Sequence, residues 1–337
     1  MADLTTTYMG LALRNPVIAG ATNLVSNPDN LKRMEDAGAA AIVYKSLFEE
    51  QIQLERLELE DDLTEYEERH AEMIRIFPEL EHAGPTEHLI NLRKAKESVS
   101  IPVIASLNCI YESTWQEYAQ LIEETGVDGL ELNFYAVPKD FNTTGESIIS
   151  QQLEILRTVK NSVRIPVSVK LSPFYANPLA VIQQMDQAGA GAFVLFNRYL
   201  QPDIDITTET HINYFNASSQ DENRMPLRFA GLLYGNINGT ICASSGIHSP
   251  EDVIKMILAG ADAIQVVSVL YKNKIEYLKV LTDGLDEWMS KKGYYSLADF
   301  KGKLSAKSTS NPYIYKRAQY IDILLKSSEV FKKYKMV

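Results

Sequence analysis

Two lysines and three asparagines, Lys45, Lys170, Asn108, Asn133 and Asn197, stand at or next to the ends of hydrophobic runs. Side-chain amides present donors and acceptors in one plane, which suits the edge of a heterocycle. A lysine held out of water can stabilise negative charge that develops on a ring. A second group follows a fourth kind of run: Ser244-Ser245-Gly246-Ile247, then His248-Ser249-Pro250, with Ser268 closing the next apolar stretch. Backbone N–H groups and hydroxyls just ahead of a helix form a phosphate site. Any one of these residues also reads as an ordinary polar cap on a strand end. Their number on one side of the fold is what points to a ligand.

The elements that must carry them are marked by a repeat. AGAAAIVYK (Ala37 to Lys45), TGVDGLELN (Thr125 to Asn133), AGAGAFVLFN (Ala188 to Asn197) and AGADAIQVVS (Ala259 to Ser268) share a small residue and glycine before a hydrophobic strand. Glycine after an amphipathic helix supplies a left-handed C-cap, and an apolar run after it reads as a buried parallel strand. Two outgoing strands, IPVIASLN (Ile101 to Asn108) and IPVSVKLS (Ile165 to Ser172), precede their return glycines by 25 and 24 residues, room for one helix and its loops. With Pro16 to Ala21 and Thr240 to Ala243 the count of strands reaches eight. Amphipathic stretches at Pro28 to Ala37, Thr114 to Thr125, Ser147 to Ser162 and Pro250 to Ala259 fill the crossovers. The expected class is α/β, a (β/α)8 TIM barrel; an open doubly wound sheet is the alternative.

In a barrel of this kind ligands sit at the C-terminal ends of the strands, where the βα loops converge. The strands deliver there Ala19-Gly20, Lys45-Ser46, Asn108, Asn133, Lys170, Asn197, Ser244-Ser245-Gly246 and Ser268. Such a rim fits a planar, hydrogen-bonding, phosphorylated ligand, and flavin mononucleotide (FMN) meets each requirement. A sugar-phosphate isomerase or aldolase would use lysine and the same phosphate loops without a flavin.

The 337 residues suit one barrel with additions, residues 1–304, and a C-terminal helical extension, 305–337. The net charge of −11 is concentrated: Glu49 to Glu81 holds 13 acidic residues against Arg56, Arg69 and Arg75. This acidic insertion, about 49–86, follows the second strand and is expected to be helical, as a lid or as a solvated excursion. The C-terminal extension is basic, with Pro312 near a helix start and a stripe of Tyr313, Tyr320, Ile321, Leu324, Leu325 and Phe331. It is expected to dock on its own barrel or on a second subunit, and the acidic balance argues against a nucleic-acid partner. Two cysteines, Cys109 and Cys242, support neither a disulfide framework nor a Cys-rich metal site. No GxGxxG or GxxxxGK[ST] run occurs, and neither a signal segment nor a membrane-length apolar run is found, so a cytoplasmic protein is expected.

Several strings resemble the dihydroorotate dehydrogenase family, from about Thr5 to Leu304: NPVIAGA (Asn15 to Ala21), Lys45-Ser46, IPVIASLNCIYESTW (Ile101 to Trp115), GLELN, IPVSVKLSP, FVLFN, SSGI and KGYYSLADFKGKL (Lys292 to Leu304). ASLNCIYESTW is also similar to the pyrimidine-binding barrel of dihydropyrimidine dehydrogenase. The resemblance implies an FMN-dependent dehydrogenase acting on a CH–CH bond of a dihydropyrimidine such as dihydroorotate, by hydride transfer to flavin N5; the alternatives are an FMN-binding member of the family without dehydrogenase turnover, in an electron-transfer or binding role, and a flavoenzyme for another ring substrate. It implies that Ala19, Gly20, Lys45, Ser46, Asn108, Asn133 and Lys170 line the flavin, with Lys170 near N1 favouring the reduced anion, and that Ser245, Gly246 and Ser268 hold the phosphate. Lys45, Lys170 and Asn133 are the implied catalytic residues, Asn108, Asn133 and Asn197 face the pyrimidine, and a homodimer is the expected assembly.

Two departures stand out. Where the family has a Cys or Ser general base after the strand-four asparagine, this chain reads Phe134-Tyr135-Ala136-Val137-Pro138, and Ala136 cannot accept a proton. Tyr111, Tyr135 and Cys109 are the substitutes within reach in sequence. The family's asparagine- and glycine-rich substrate loop is replaced by the acidic insertion; Arg198 is a candidate carboxylate anchor or an ordinary surface arginine, and His211, in the long loop from Arg198 to Arg228, is a second candidate.

Overall fold

The computed structural model describes residues 2–55, 84–136, 141–198, 201–212, 217–316 and 318–325. Eight strands close into a parallel barrel: β1 (Val17–Ala19), β2 (Ala41–Phe48), β3 (Val103–Asn108), β4 (Gly129–Asn133), β5 (Val167–Leu171), β6 (Ala192–Leu195), β7 (Thr240–Ser244) and β8 (Ala263–Val266). Strand order follows the chain, and β8 pairs with β1 through Ile264↔Val17, Gln265↔Ile18 and Val266↔Ala19. The open-sheet alternative is thereby excluded. Helices α1 (Pro28–Asp36), α2 (Pro85–Ser98), α3 (Glu112–Glu123), α4 (Gly145–Ser162), α5 (Pro178–Gln187), α6 (Arg224–Leu233), α7 (Pro250–Ala259) and α8 (Tyr277–Lys292) form the outer layer.

Local sequence explains these boundaries. Asn27, Thr144, Asn177 and Ser249 each accept a hydrogen bond from a first-turn N–H, and proline opens α1, α5 and α7. The repeat glycines Gly38, Gly126, Gly189 and Gly260 all take positive φ where a helix turns back toward its strand. Along each strand alternate residues face outward and inward. Leu130, Leu132, Val167, Val169, Phe193 and Ile264 belong to the layer between strands and helices, whereas Ile18, Ala41, Val43, Ile104, Ala192, Val194, Cys242 and Ala263 fill the barrel lumen.

An antiparallel hairpin, Thr6–Tyr8 with Leu11–Leu13, adds Tyr8, Met9 and Leu13 to the lumen set and stops its N-terminal end. Its Met9 N–H donates to Thr240 Oγ1 at 2.9 Å and its Thr6 hydroxyl to Asp262 O at 3.0 Å. Gly129 makes room for it, because a Cβ there would meet Met9 Cε at 2.7 Å.

Two expectations change. The stretch from Arg198 to Arg228, read as a long loop, holds a second hairpin (Asp203–Asp205 with Thr210–Ile212) and the start of α6. The C-terminal stripe does not lie on one helix: Pro312–Tyr315 is a single 3-10 turn and Ala318–Leu325 a separate helix. Tyr313, Tyr320, Ile321, Leu324 and Leu325 are exposed. Tyr315 contacts the barrel: its hydroxyl donates to Leu304 O at 2.7 Å and lies against Gly231. Phe331 and residues 56–83 of the acidic insertion lie outside the described residues. Among the described residues no helix is long and apolar enough to cross a membrane, and none of the His, Cys, Asp and Glu side chains cluster as a metal site would require.

Candidate active site

The upper half of the lumen is polar. β4 turns Glu131 and Asn133 inward, β5 turns Ser168 and Lys170 inward, and the two strands pair Glu131 with Ser168 and Asn133 with Lys170. From across the barrel β8 adds Gln265. Its Nε2 donates to Glu131 Oε2 at 2.5 Å and its Oε1 accepts from Lys170 Nζ at 3.5 Å. Lys170 Nζ also lies 3.7 Å from Glu131 Oε1. Glu131 and Gln265 are buried, while Lys170 keeps 12% of its side chain exposed. Burial first, then the Glu131 carboxylate, push the Cys242 thiol well above its ordinary range. The phenol of Tyr8, below the same group, is raised by burial and then by Cys242 and Glu131. Both stay protonated at neutral pH.

One residue further up, Asn197 Nδ2 donates to Asn133 Oδ1, joining the ends of β4 and β6. Asn197 Oδ1 accepts from the Arg198 N–H at 3.0 Å. Arg198 itself is committed to Glu222, with Nε 2.8 Å from Oε2. Burial alone would raise Glu222, but the Ser219 N–H and Arg198 outweigh it and hold the carboxyl below its ordinary range. The guanidinium expected to anchor a carboxylate ligand therefore already has one from the protein. His211 is exposed on the second hairpin.

On the β2 side the register with β3 slips between Val43 and Ser46, and Ser46 comes level with Ser106, their hydroxyls 2.7 Å apart. A bulge of this kind redirects side chains beside a site. Lys45, half-buried, is near His88 of α2. Burial and then the Lys45 charge lower His88 from 6.5 to about 4. The His88 ring packs edge-on to Tyr44 at 5.4 Å, and neither ring nitrogen has a hydrogen-bond partner among the described residues. Phe48↔Asn108 is the last pair of β2 and β3, which places Asn108 on the same rim. Ala19 ends β1, and Gly20 follows with its N–H on Val266 O at 3.0 Å; a Cβ on Gly20 would meet Val267 Cγ2 at 2.8 Å.

Ser245 and Gly246 both take positive φ, at 82° and 72°. Two such residues in succession turn the loop after β7 so tightly that a Cβ on Gly246 would run into the Asn223 backbone. Ser268 is close by: its hydroxyl accepts from the Ser218 N–H at 2.9 Å, and the Ser218 hydroxyl accepts from Gly246 N–H at 3.3 Å. His248 Nε2 lies 3.2 Å from that hydroxyl and Lys272 Nζ donates to Ser218 O at 2.8 Å. Buried Asp252 ties this corner together, accepting from Gln220, Asn223 and the N–H groups of His248 and Ser249.

The structure thus brings together Lys170, Asn133 and Asn197 on adjoining strands, Lys45, Ser46 and Asn108 on the next pair, and Ser245, Gly246 and Ser268 at the opposite corner. Ala136 is half-buried just beyond β4. Of the substitute bases, Tyr111 is exposed, Tyr135 half-buried and Cys109 buried. Glu131, Gln265, Ser218 and Glu49 escaped the reading of the sequence. A charged or amide residue at an inward position of an otherwise apolar strand, as in GLELN and AIQVV, was the available signal for the first two.

Residues 79–289 match the family model for dihydroorotate dehydrogenase. The chain is 27% identical over 282 residues to the dihydroorotate dehydrogenase B (NAD(+)) catalytic subunit of Thermoplasma volcanium, a match that spans 81% of this chain and 88% of that one. The subunit of the same name from Methanocaldococcus jannaschii is 26% identical over 289 residues, 83% of this chain and 91% of its own. That of Thermoplasma acidophilum is 25% identical over 306 residues, 90% and 99%. With a family match over more than half its length and the closed barrel that presents these strand ends, the chain belongs to the dihydroorotate dehydrogenase family.

Proposed function

We propose that this chain is an FMN-dependent oxidoreductase that oxidises a dihydropyrimidine, with dihydroorotate to orotate as the leading substrate. The observation that carries the reading is the meeting of Lys170, Asn133 and Asn197 at the top of a polar lumen, in a chain of this family. The residues present fit FMN by their chemistry. Gly20 lets the backbone after β1 lie against Val267, where a Cβ would meet its side chain, Lys45 and Lys170 supply positive charge, and Ser46 and Asn108 supply hydrogen-bonding groups. The corner of Ser245, Gly246 and Ser268, with Ser218, His248 and Lys272 around it, has the hydroxyls, turned backbone and cation that a phosphate requires.

When bound, FMN would accept a hydride from a ring carbon of the substrate. Asn133 and Asn197, held to each other, would orient the pyrimidine edge, with Asn108 as the third amide. Lys170 would place positive charge against the electron-rich side of the cofactor, and Lys45 would do the same from β2. The proton on the neighbouring carbon has no side-chain acceptor at Ala136, so it would leave through a residue of the surrounding loops or to water. Electrons would pass to an external acceptor, which the names of the three subunits above give as NAD(+) and that of a further relative, from Aeropyrum pernix, gives as fumarate. In this reading residues 1–304 carry the chemistry and 305–337 form an extension, with a homodimer in the cytoplasm as the working unit.

The test is an anaerobic visible spectrum of the purified protein before and after addition of dihydroorotate or dihydrouracil. A flavin band bleached by either is the expected result and assigns the substrate class. A colourless protein that takes up no FMN would overturn the cofactor assignment; a flavin band that neither compound bleaches would overturn the substrate assignment.

A further inference from the structure

We infer that Glu131, acting through Gln265, is a positioning residue that fixes the direction and electrostatic setting of Lys170 and thereby tunes the reduction potential of the flavin. The inference rests on the FMN reading above and adds to it residues that make no contact with substrate.

The reasoning starts from burial. Glu131 lies inside the barrel with no solvent exposure, and an ionised carboxylate there must be compensated by donors and a cation. Gln265 Nε2 satisfies Oε2 at 2.5 Å, while Oε1 has no hydrogen-bond partner among the described residues and lies 3.7 Å from Lys170 Nζ. An ionised carboxylate can only accept, so it forces the Gln265 amide to turn its NH2 group inward. The amide oxygen is then left facing Lys170, 3.5 Å away. Three side chains from β4, β5 and β8 are thus locked in one order by the charge on the first. Both contacts to the ammonium are long, so neither uses it fully, and the partly exposed end of Lys170 remains available toward the mouth. A lysine in this setting is a cation held at a fixed distance from its own counter-charge. The carboxylate beneath it holds the ammonium back from the mouth, and so limits the field that the lysine directs at the rim.

The test is a spectroelectrochemical titration of the FMN-loaded protein and its variants at neutral pH. Glu131→Gln keeps the shape and removes the counter-charge, so the two-electron equilibrium is expected to move toward reduction by at least tenfold, about 30 mV. In a Lys170→Met background the same substitution should shift the equilibrium by less than half as much, because its effect runs through the lysine. Gln265→Met removes the bridge, lets the carboxylate and ammonium close on each other and draws the lysine away from the mouth; the equilibrium is expected to move the other way. It also carries the test alone should Glu131→Gln fail to fold. FMN uptake with an equilibrium unmoved by either variant, or a shift that persists undiminished in the Lys170→Met background, overturns this inference alone. Absence of FMN uptake by the wild-type protein overturns the functional reading, and the two failures are distinguishable.

Discussion

Glu49 offers the sharpest structural test, because one carboxylate holds together a loop, a helix start and a strand end. It follows β2 directly and is 1% exposed. Its Oε2 accepts from the Ile110 N–H at 3.1 Å and the Tyr111 N–H at 3.5 Å, and its Oε1 from the Thr114 hydroxyl at 3.2 Å and Gln53 Nε2 at 2.5 Å. Helix α3 has no side-chain cap of its own at Tyr111, so Glu49 supplies from a distant part of the sequence the negative charge that a helix N-terminus favours. Hydrogen bonds to a charged group contribute about 1.5–3 kcal/mol each, and a lost cap costs about 1 kcal/mol. Because some of the freed donors reach water, Glu49→Ala is expected to cost about 3 kcal/mol and the isosteric Glu49→Gln about 1 kcal/mol. At roughly 2.1 cal/mol/K per residue, unfolding this 337-residue chain gains roughly 0.7 kcal/mol/K, which converts those costs to about 4 °C and 1.5 °C in Tm. Thermal melts followed by circular dichroism measure this directly. A second assay reports on the loop: Cys109, buried one residue before Ile110, should react faster with a thiol reagent in Glu49→Ala, while Cys242 in the lumen stays protected. Equal melting of Glu49→Ala and wild type, or equal losses for the alanine and glutamine variants, would refute the assignment of a charge-dependent cap.

Two further predictions concern the rim. His88 has its value lowered to about 4 by burial and by Lys45, so as pH falls the unfolded chain takes up the proton first. The stability it contributes is complete above pH 6.5 and is lost as pH falls toward 4, by up to ~3 kcal/mol. His88→Leu should flatten that slope in urea melts at pH 7 and pH 4.5; parallel losses in wild type and variant would contradict the placement. Ala136→Cys should raise dihydroorotate oxidation by about 10²- to 10⁴-fold if a missing base is the main deficit. Steady-state kinetics with an artificial electron acceptor decide it, and no gain would mean that the proton already leaves by another route.

Much of the frame was legible because glycine and proline punctuate it. The repeat of small residue, glycine and apolar run marked the return strands, and each strand-end polar residue followed from where the run stopped. Short elements were not legible: LAL and THI are too brief to show a period of two, so both hairpins were missed. Pairings across the fold were also hidden. Nothing in the spacing links the candidate anchor Arg198 to Glu222, and Glu49 is one acid among thirteen in the sequence although it is buried against a helix start 61 to 65 residues away. Glu131 and Gln265 are marked in the sequence as lone polar residues inside apolar runs, but that they meet across the lumen becomes visible only when the barrel closes.

The hairpin that stops the lumen makes barrel closure an event of the whole chain. Tyr8 and Met9 are sealed in by contacts to β7 and β8, and the main chain before them is fastened to Asp286 and Tyr295. Gln265, which orients Lys170, comes from the strand that completes the seam with β1. Until that strand is in place Glu131 has neither its amide partner nor a dry surrounding, and the lumen is a wet groove open at one edge. The step that makes the wall continuous also brings in the side chain that aligns the lysine. An unfinished barrel therefore cannot present the finished rim, and a ligand that depends on Lys170 discriminates closed molecules from open ones.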